Sequence, residues 1–312
     1  LLSIFLTVLP VFLILGAGYV LGRVKYLPDE VADSLNLYAM KIAVPCLLFM
    51  AMYNLDFRNA FQLPMLVSFY TGAITCFVAG IILSRIFWGR RPGESVAVGF
   101  CAVFSNSVLI GTPIVMLAFG EEALTPAFGI IAFHASSLYA IGMTTMEFAK
   151  QDGRSFLDTI KIAFSAVIAN PLMIGILTGV AFNLSGINLF APLEQALDMV
   201  RITAIPVSLV GIGIVLTRYK ISSEFSEAIM VSVLSLGLHP LIAFVLSYHV
   251  FELDLIYVQV AVIIAAMPPG MNVYIFANLY QRALGLSASV LVIANIISVF
   301  TITGWLLFLQ SL

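Results

Sequence analysis

Charge is scarce in this sequence. Charged side chains make up 10% of the 312 residues against 62% hydrophobic ones, and the mean hydropathy is +1.10. Soluble domains carry about a quarter charged residues, so a water-covered globule is excluded and an integral membrane protein is expected. Cysteine is equally scarce. Cys46, Cys76 and Cys101 lie in apolar runs without a CxxC spacing, which excludes a disulfide framework or a thiolate metal centre and leaves them as small core residues. The clustered His or Asp that a metalloprotease or a prenyl transferase needs are absent, so neither a metal nor a cofactor is expected. Short alternating apolar segments, the mark of a membrane barrel, are missing, as is any basic cluster that would suit a nucleic acid. An intramembrane hydrolase built on Ser105 or Ser107 with His134 or His239 would lack both a Gly-x-Ser-x-Gly-like turn and an orienting acid.

Long apolar runs are abundant. A spanning helix needs about 20 mostly apolar residues, and segments near 2–22, 34–54, 63–87, 95–119, 124–147, 160–183, 191–217, 227–250, 255–280 and 286–310 meet that test. The fold class expected is an all-α integral membrane protein of ten transmembrane helices. The opening "LLSIFLTVLP" reads as part of the first span, and no basic stretch or cleavage site marks a separate signal peptide. Of the 14 Lys and Arg, only Arg58 and Arg201 fall outside the loops and flanks that follow odd-numbered spans. By the positive-inside rule those loops face the cytoplasm, so both termini are expected outside the cytoplasmic membrane.

The two halves match one another at an offset of 161 residues. Pro10 falls on Pro171, Gly18 on Gly179, and Pro45 on Pro206 within "AVPCLL" and "AIPVSL". The same offset lays "SNSVLIGTP" (105–113) over "AMPPGMNVY" (266–274) and spans 1–5 over spans 6–10. Five is odd, so the repeat is expected to be inverted, five helices plus five. Interrupted helices at matching positions of inverted halves are the best sequence pointer to a transporter's binding site.

Both matching stretches break a helix at membrane depth. Proline removes a helix N–H and biases the residue before it away from the α region. Pro113 is therefore expected to free the carbonyl of Leu109 and to push Thr112 out of the helix, with Gly111 allowing the turn. Pro268, Pro269 and Gly270 are expected to do the same in span 9. Irregular backbone at that depth is tolerated only when buried in protein or lining a cavity, so crossed, discontinuous helices 4 and 9 are expected. The second half of each broken helix begins with free N–H groups and about half a positive charge, which favours an anion. Asn106, Ser105, Ser107, Thr112 and Asn272, with Gly270 and Met271 between them, are the expected substrate-binding residues. Within the spans, no Lys or Arg stands at this depth to supply a fixed counter-charge.

These segments resemble the auxin efflux carrier family, within the wider group that holds the bile-acid sodium symporters. Asn106, Gly111 and Pro113 match its fourth-helix pattern, and Pro268, Gly270, Phe276, Ala277 and Tyr280 its ninth. The resemblance covers the whole chain and is closest to bacterial members, since residues 148–160 join the halves without a long central loop. It implies an elevator-type carrier of small organic anions, such as mono- or dicarboxylates. Residues 1–62 and 156–222 (spans 1, 2, 6 and 7) would form a scaffold that dimerises through spans 2 and 7. Residues 63–155 and 223–312 would form the moving domain. Ser107, Pro269 and the Asn272-Val-Tyr stretch depart from the plant pattern inside the expected pocket, which points to a smaller or more polar acid than auxin.

The spans contain no acid at mid-membrane, and Asp198 with Arg201 reads as a surface pair. His134 and His239 are the deep titratable groups, each either a hydrogen-bonded structural histidine or a proton-coupling one. Proton coupling, sodium coupling through carbonyls and hydroxyls, and uniport all remain open. A channel or a small-ligand sensor is the alternative to a carrier.

Overall fold

The computed structural model describes residues 2–55, 62–150, 171–218 and 224–312. The start of the expected sixth span, the link between the halves, and Arg58, Arg154, Lys161 and Lys220 lie outside them. Fourteen α-helices are described: α1 Leu2–Arg23, α2 Asp29–Tyr38, α3 Val44–Tyr53, α4 Leu63–Trp88, α5 Pro92–Val103, α6 Thr112–Phe119, α7 Leu124–Lys150, α8 Pro171–Ser185, α9 Ala191–Leu216, α10 Phe225–Val233, α11 His239–Phe244, α12 Leu255–Ala265, α13 Asn272–Tyr280 and α14 Leu284–Gln310. No strand occurs among the described residues. Six continuous helical stretches are long and apolar enough to cross a membrane: Glu30–Tyr53, Leu63–Trp88, Glu121–Ala149, Ala191–Leu216, Phe225–Val250 and Leu284–Gln310. Among the described residues, shorter apolar helices are Leu9–Arg23, Pro92–Val103, Ser107–Phe119, Pro171–Ser185 and Leu255–Ala265.

Proline sets much of the local geometry. A proline ring in a helix clashes with the carbonyl four residues back. Before Pro45, Pro113 and Pro240 the helix widens into a π turn, at Ala39–Ala43, Ser107–Gly111 and Leu234–Leu238. In each, the residue ahead of the proline donates five residues back: Val44 to Ala39, Thr112 to Ser107 and His239 to Leu234. The extra residue moves the obstructing carbonyl aside, so the chain stays helical through the proline. Thr112 accordingly sits at φ −56°, ψ −51°. This corrects the expectation that it leaves the α region: Pro113 lies within the continuous helical stretch Ser107–Phe119 and does not break it. The carbonyl of Leu236, four residues before Pro240, accepts the indole N–H of Trp305 at 3.1 Å.

Packing joins distant parts of the chain. Helix α1 lies along α9, and α3 along α8. A Cβ on Gly175 would stand 2.5 Å from the carbonyl oxygen of Pro45, so the small residue sets that approach. Helix α4 packs on α5 and α11, and α10 on α14. At one end, Arg90 binds the fully buried Glu227 through Nε (3.1 Å) and Nη2 (2.6 Å) and reaches Glu224 at 2.5 Å. The Glu227 hydrogen bond raises the Arg90 guanidinium further above its ordinary range, against the opposing effect of burial. Arg201 binds Asp198 on a half-exposed face of α9, as the sequence suggests.

Two stability predictions follow from these contacts. Trp305→Phe strands the Leu236 carbonyl and is expected to cost about 1–3 kcal/mol, read as a lower unfolding midpoint in detergent. The loss should shrink in a Pro240→Ala background, where position 240 regains an N–H. Arg90→Gln removes the guanidinium from buried Glu227 and should cost about 3–5 kcal/mol in the same assay.

Candidate functional site

Helix α5 ends at Val103, and Phe104 (φ −87°, ψ 83°) and Asn106 (φ −80°, ψ 60°) turn the chain out of it. Helix α12 ends at Ala265, ahead of Pro268 and Pro269. The two breaks meet as a short antiparallel bridge of Ser105 with Pro269. Asn106 N–H donates to Pro268 O at 2.8 Å, and Gly270 N–H donates to Phe104 O at 3.1 Å. Opposed residues of an antiparallel pair alternate between bonded and non-bonded positions. Ser105 and Pro269 occupy a non-bonded one, so the missing proline N–H costs the bridge nothing. Gly270 lies close to the other break: a Cβ there would meet the Asn106 side chain at 3.3 Å, tighter than an ordinary contact.

Each break opens a second half-helix. Ile110 and Gly111 donate back to Asn106 O, leaving the N–H groups of Ser107, Val108 and Leu109 ahead of the first helical bond. On the other side, Val273 bonds Gly270 O and Tyr274 bonds Met271 O, so α13 starts at Met271–Asn272. Ser105, Asn106, Ser107, Gly270, Met271 and Asn272 together line one side of a cavity of about 380 Å³. Its other wall is apolar and comes from α3, α8 and α9, with Val44, Leu48, Leu172, Ile176 and Ile212 among its residues. The cavity extends to Asn36 and to the ion pair of Arg218 Nη1 with Asp33 at 2.7 Å.

The remaining sequence-predicted residues take supporting places. Thr112 is buried, does not line the cavity, and turns its hydroxyl to Ser107 O at 3.4 Å. Gly111 and Pro113 stand behind it in the π turn and the first turn of α6. The Ser105 and Ser107 hydroxyls bond each other at 2.8 Å. His134 lines the cavity, and its Nε2 lies 3.1 Å from Ser105 O. A carbonyl only accepts, so Nε2 carries a proton; Nδ1 is buried without a partner. His239 lies away from the cavity and donates Nε2–H to Phe69 O at 3.1 Å. The ring of Phe69 contacts both imidazoles, with centroids 5.7 Å from His134 and 4.8 Å from His239.

Sequence reasoning missed three participants. Tyr139 donates its hydroxyl to Asn272 Oδ1 at 3.1 Å, a partnership across 133 positions without local signal. Asn36 and Arg218 reach the cavity from the ends of α2 and α9; Arg218 served only as an orientation charge. The arrangement offers neutral N–H donors and two half-helix N-termini on one side, apolar surface on the other and one ion pair at the rim. That combination can hold a small anionic group attached to a modest body.

Comparison with known proteins agrees with a transport role. A family profile described as "Membrane transport protein" matches residues 3–306. The chain is 25% identical over 309 residues to a Rhizobium meliloti protein named "Putative malonate transporter", covering 97% of this chain and 95% of that one. It is 26% identical over 308 residues to an uncharacterized transporter of Methanothermobacter thermautotrophicus, covering 96% of each. Over 191 residues it is 26% identical to the lysosomal cholesterol signaling protein of Mus musculus, covering 58% of this chain and 22% of that one. The chain belongs to the membrane transport protein family, the auxin efflux carrier family that its broken-helix motifs resemble.

Proposed function

We propose that the protein is a secondary carrier that moves a small organic anion, a mono- or dicarboxylate, across the cytoplasmic membrane. The observation that carries this reading is the crossover: two broken helices joined by the Asn106–Pro268 and Gly270–Phe104 bonds, with both second half-helices opening on one cavity. A carboxylate seated there meets the N–H groups that open each half-helix and the amides of Asn106 and Asn272. These neutral donors need no fixed counter-charge when the site is empty, and they bind with the moderate strength that lets a carrier release its load. The malonate in one relative's name supports a short acid.

In this reading the halves are an inverted repeat of five spans each, working by an elevator motion. The α1–α9 and α3–α8 pairs belong to a scaffold of spans 1, 2, 6 and 7, dimeric through spans 2 and 7. The crossover travels with α4–α7 and α10–α14. The cavity's reach to Arg218 and Asp33, on the side assigned to the cytoplasm, supports an inward-facing form. Of the two histidines, His134 is the one through which a proton would act, since it alone lines the cavity. The family and its transporter relatives favour this over an enzyme. A channel would pass ions without saturable exchange.

The test is counterflow in proteoliposomes with labelled malonate and a panel of other mono- and dicarboxylates, run with and without sodium and a pH gradient. Saturable exchange of at least one acid is expected. Asn106→Ala and Asn272→Ala should each weaken apparent affinity about tenfold, the worth of one or two hydrogen bonds, while the unfolding midpoint stays near wild type. Unchanged affinity in both variants, or ion conductance without exchange, would defeat the assignment.

A further inference from the structure

Helix α7 holds both sides of the crossover through two side chains five residues apart. His134 donates to Ser105 O, in the first break, at 3.1 Å. Tyr139 donates to Asn272 Oδ1, at the start of the second half-helix, at 3.1 Å. Asn272 lines the cavity and Tyr139 does not. The tyrosine therefore stands behind the amide, not beside the substrate.

A primary amide has two unlike ends: an oxygen that accepts and an NH2 that donates twice. Turning it by half a revolution changes its shape little and inverts what it offers. With the oxygen tied to Tyr139, the NH2 is the end left for the cavity. With the amide reversed, the oxygen lone pairs would face a bound carboxylate and repel it. We propose that Tyr139 is a positioning residue that fixes the Asn272 amide with its donors toward the cavity, so that the site selects anions. This inference rests on the reading of the crossover as an anion site.

The tyrosine ring is held well enough to serve that role. Its centroid lies 5.4 Å from Phe100, 5.3 Å from Phe104 and 6.4 Å from Phe276. Phe100 and Phe276 are themselves stacked at 3.9 Å, and both are fully buried. Phe104 belongs to the first break and Phe276 to α13, so the ring that orients the amide packs on both broken helices. Tyr139→Phe keeps these contacts and removes only the hydroxyl.

The experiment measures malonate affinity of purified protein in detergent, with unfolding midpoints alongside. Tyr139→Phe is expected to bind malonate about fivefold to tenfold more weakly. The same change in an Asn272→Ala background should have no further effect, because a residue acting through Asn272 has nothing left to orient. A packing role would weaken both backgrounds alike. Asn272→Asp keeps an oxygen for Tyr139 and replaces the inward NH2 with a second oxygen, so it should bind no better than Asn272→Ala. Wild-type affinity in Tyr139→Phe, an equal loss in the Asn272→Ala background, or wild-type affinity in Asn272→Asp would each overturn the proposal. Should Tyr139→Phe fail to fold, Asn272→Asp carries the test alone. If Asn106→Ala and Asn272→Ala both retain wild-type affinity, the anion site fails and the positioning role with it. If they weaken and Tyr139→Phe does not, only the positioning role falls.

Discussion

A backbone polar group in hydrocarbon has no water to bond, and leaving it unpaired costs several kcal/mol. Everything unusual in this structure is arranged around that constraint. A chain that interrupts two helices inside the membrane exposes carbonyls and N–H groups at both interruptions. Here the interruptions answer one another: the carbonyls of Phe104 and Pro268 are taken by N–H groups from the opposite break. Neither break could be accommodated this way alone. The Ser105 carbonyl, the acceptor between these bonds on the first strand, is met by His134. The residues that open the two second half-helices, Ser107 on one side and Met271 with Asn272 on the other, line the cavity.

The prolines obey the same rule in three ways. Pro45, Pro113 and Pro240 follow widened turns, in which the donor pattern shifts by one residue and the helix continues. Pro240 also releases the Leu236 carbonyl, which finds the Trp305 indole on another helix. Pro269 sits where an antiparallel bridge asks for no N–H. A proline count alone therefore does not say where a membrane helix breaks. What decides is whether a nearby residue can widen the turn or whether a second strand is present to bridge.

This explains what was legible in the sequence and what was not. The apolar runs read directly as helices, because hydropathy is a local property and the bilayer enforces it. The break at Pro268–Pro269–Gly270 was legible too, since two prolines and a glycine leave no helical alternative. The first break was misplaced. Pro113 drew attention to itself, whereas the chain leaves the helix at Phe104–Asn106, where no residue is a strong helix breaker. Its position there is set by the partner strand at Pro268 and Gly270, a contact across more than half the chain. The offset between the halves did align Ser105–Pro113 with Ala266–Tyr274, so pairing the stretches told more than reading either one. Tyr139, Asn36 and Arg218 were out of reach for the same reason: their roles are defined by what other helices bring beside them.

The site's neutrality has a mechanical consequence. A lysine or arginine fixed beside the crossover would have to be desolvated in every state of the protein, with or without its ligand. Half-helix N-termini and side-chain amides carry only partial charges, fixed in place by the surrounding fold. Their cost is met when the chain folds and does not return at each cycle. The full charges lie at the rim instead, where Arg218 already has Asp33 as a partner and water is near. In the proposed carrier, an anion entering from that side would exchange a charged mouth for a neutral, pre-oriented seat. The proposed seat's selectivity would then depend on the direction of its dipoles, so that a single hydroxyl behind Asn272 would matter as much as the amide in front of it.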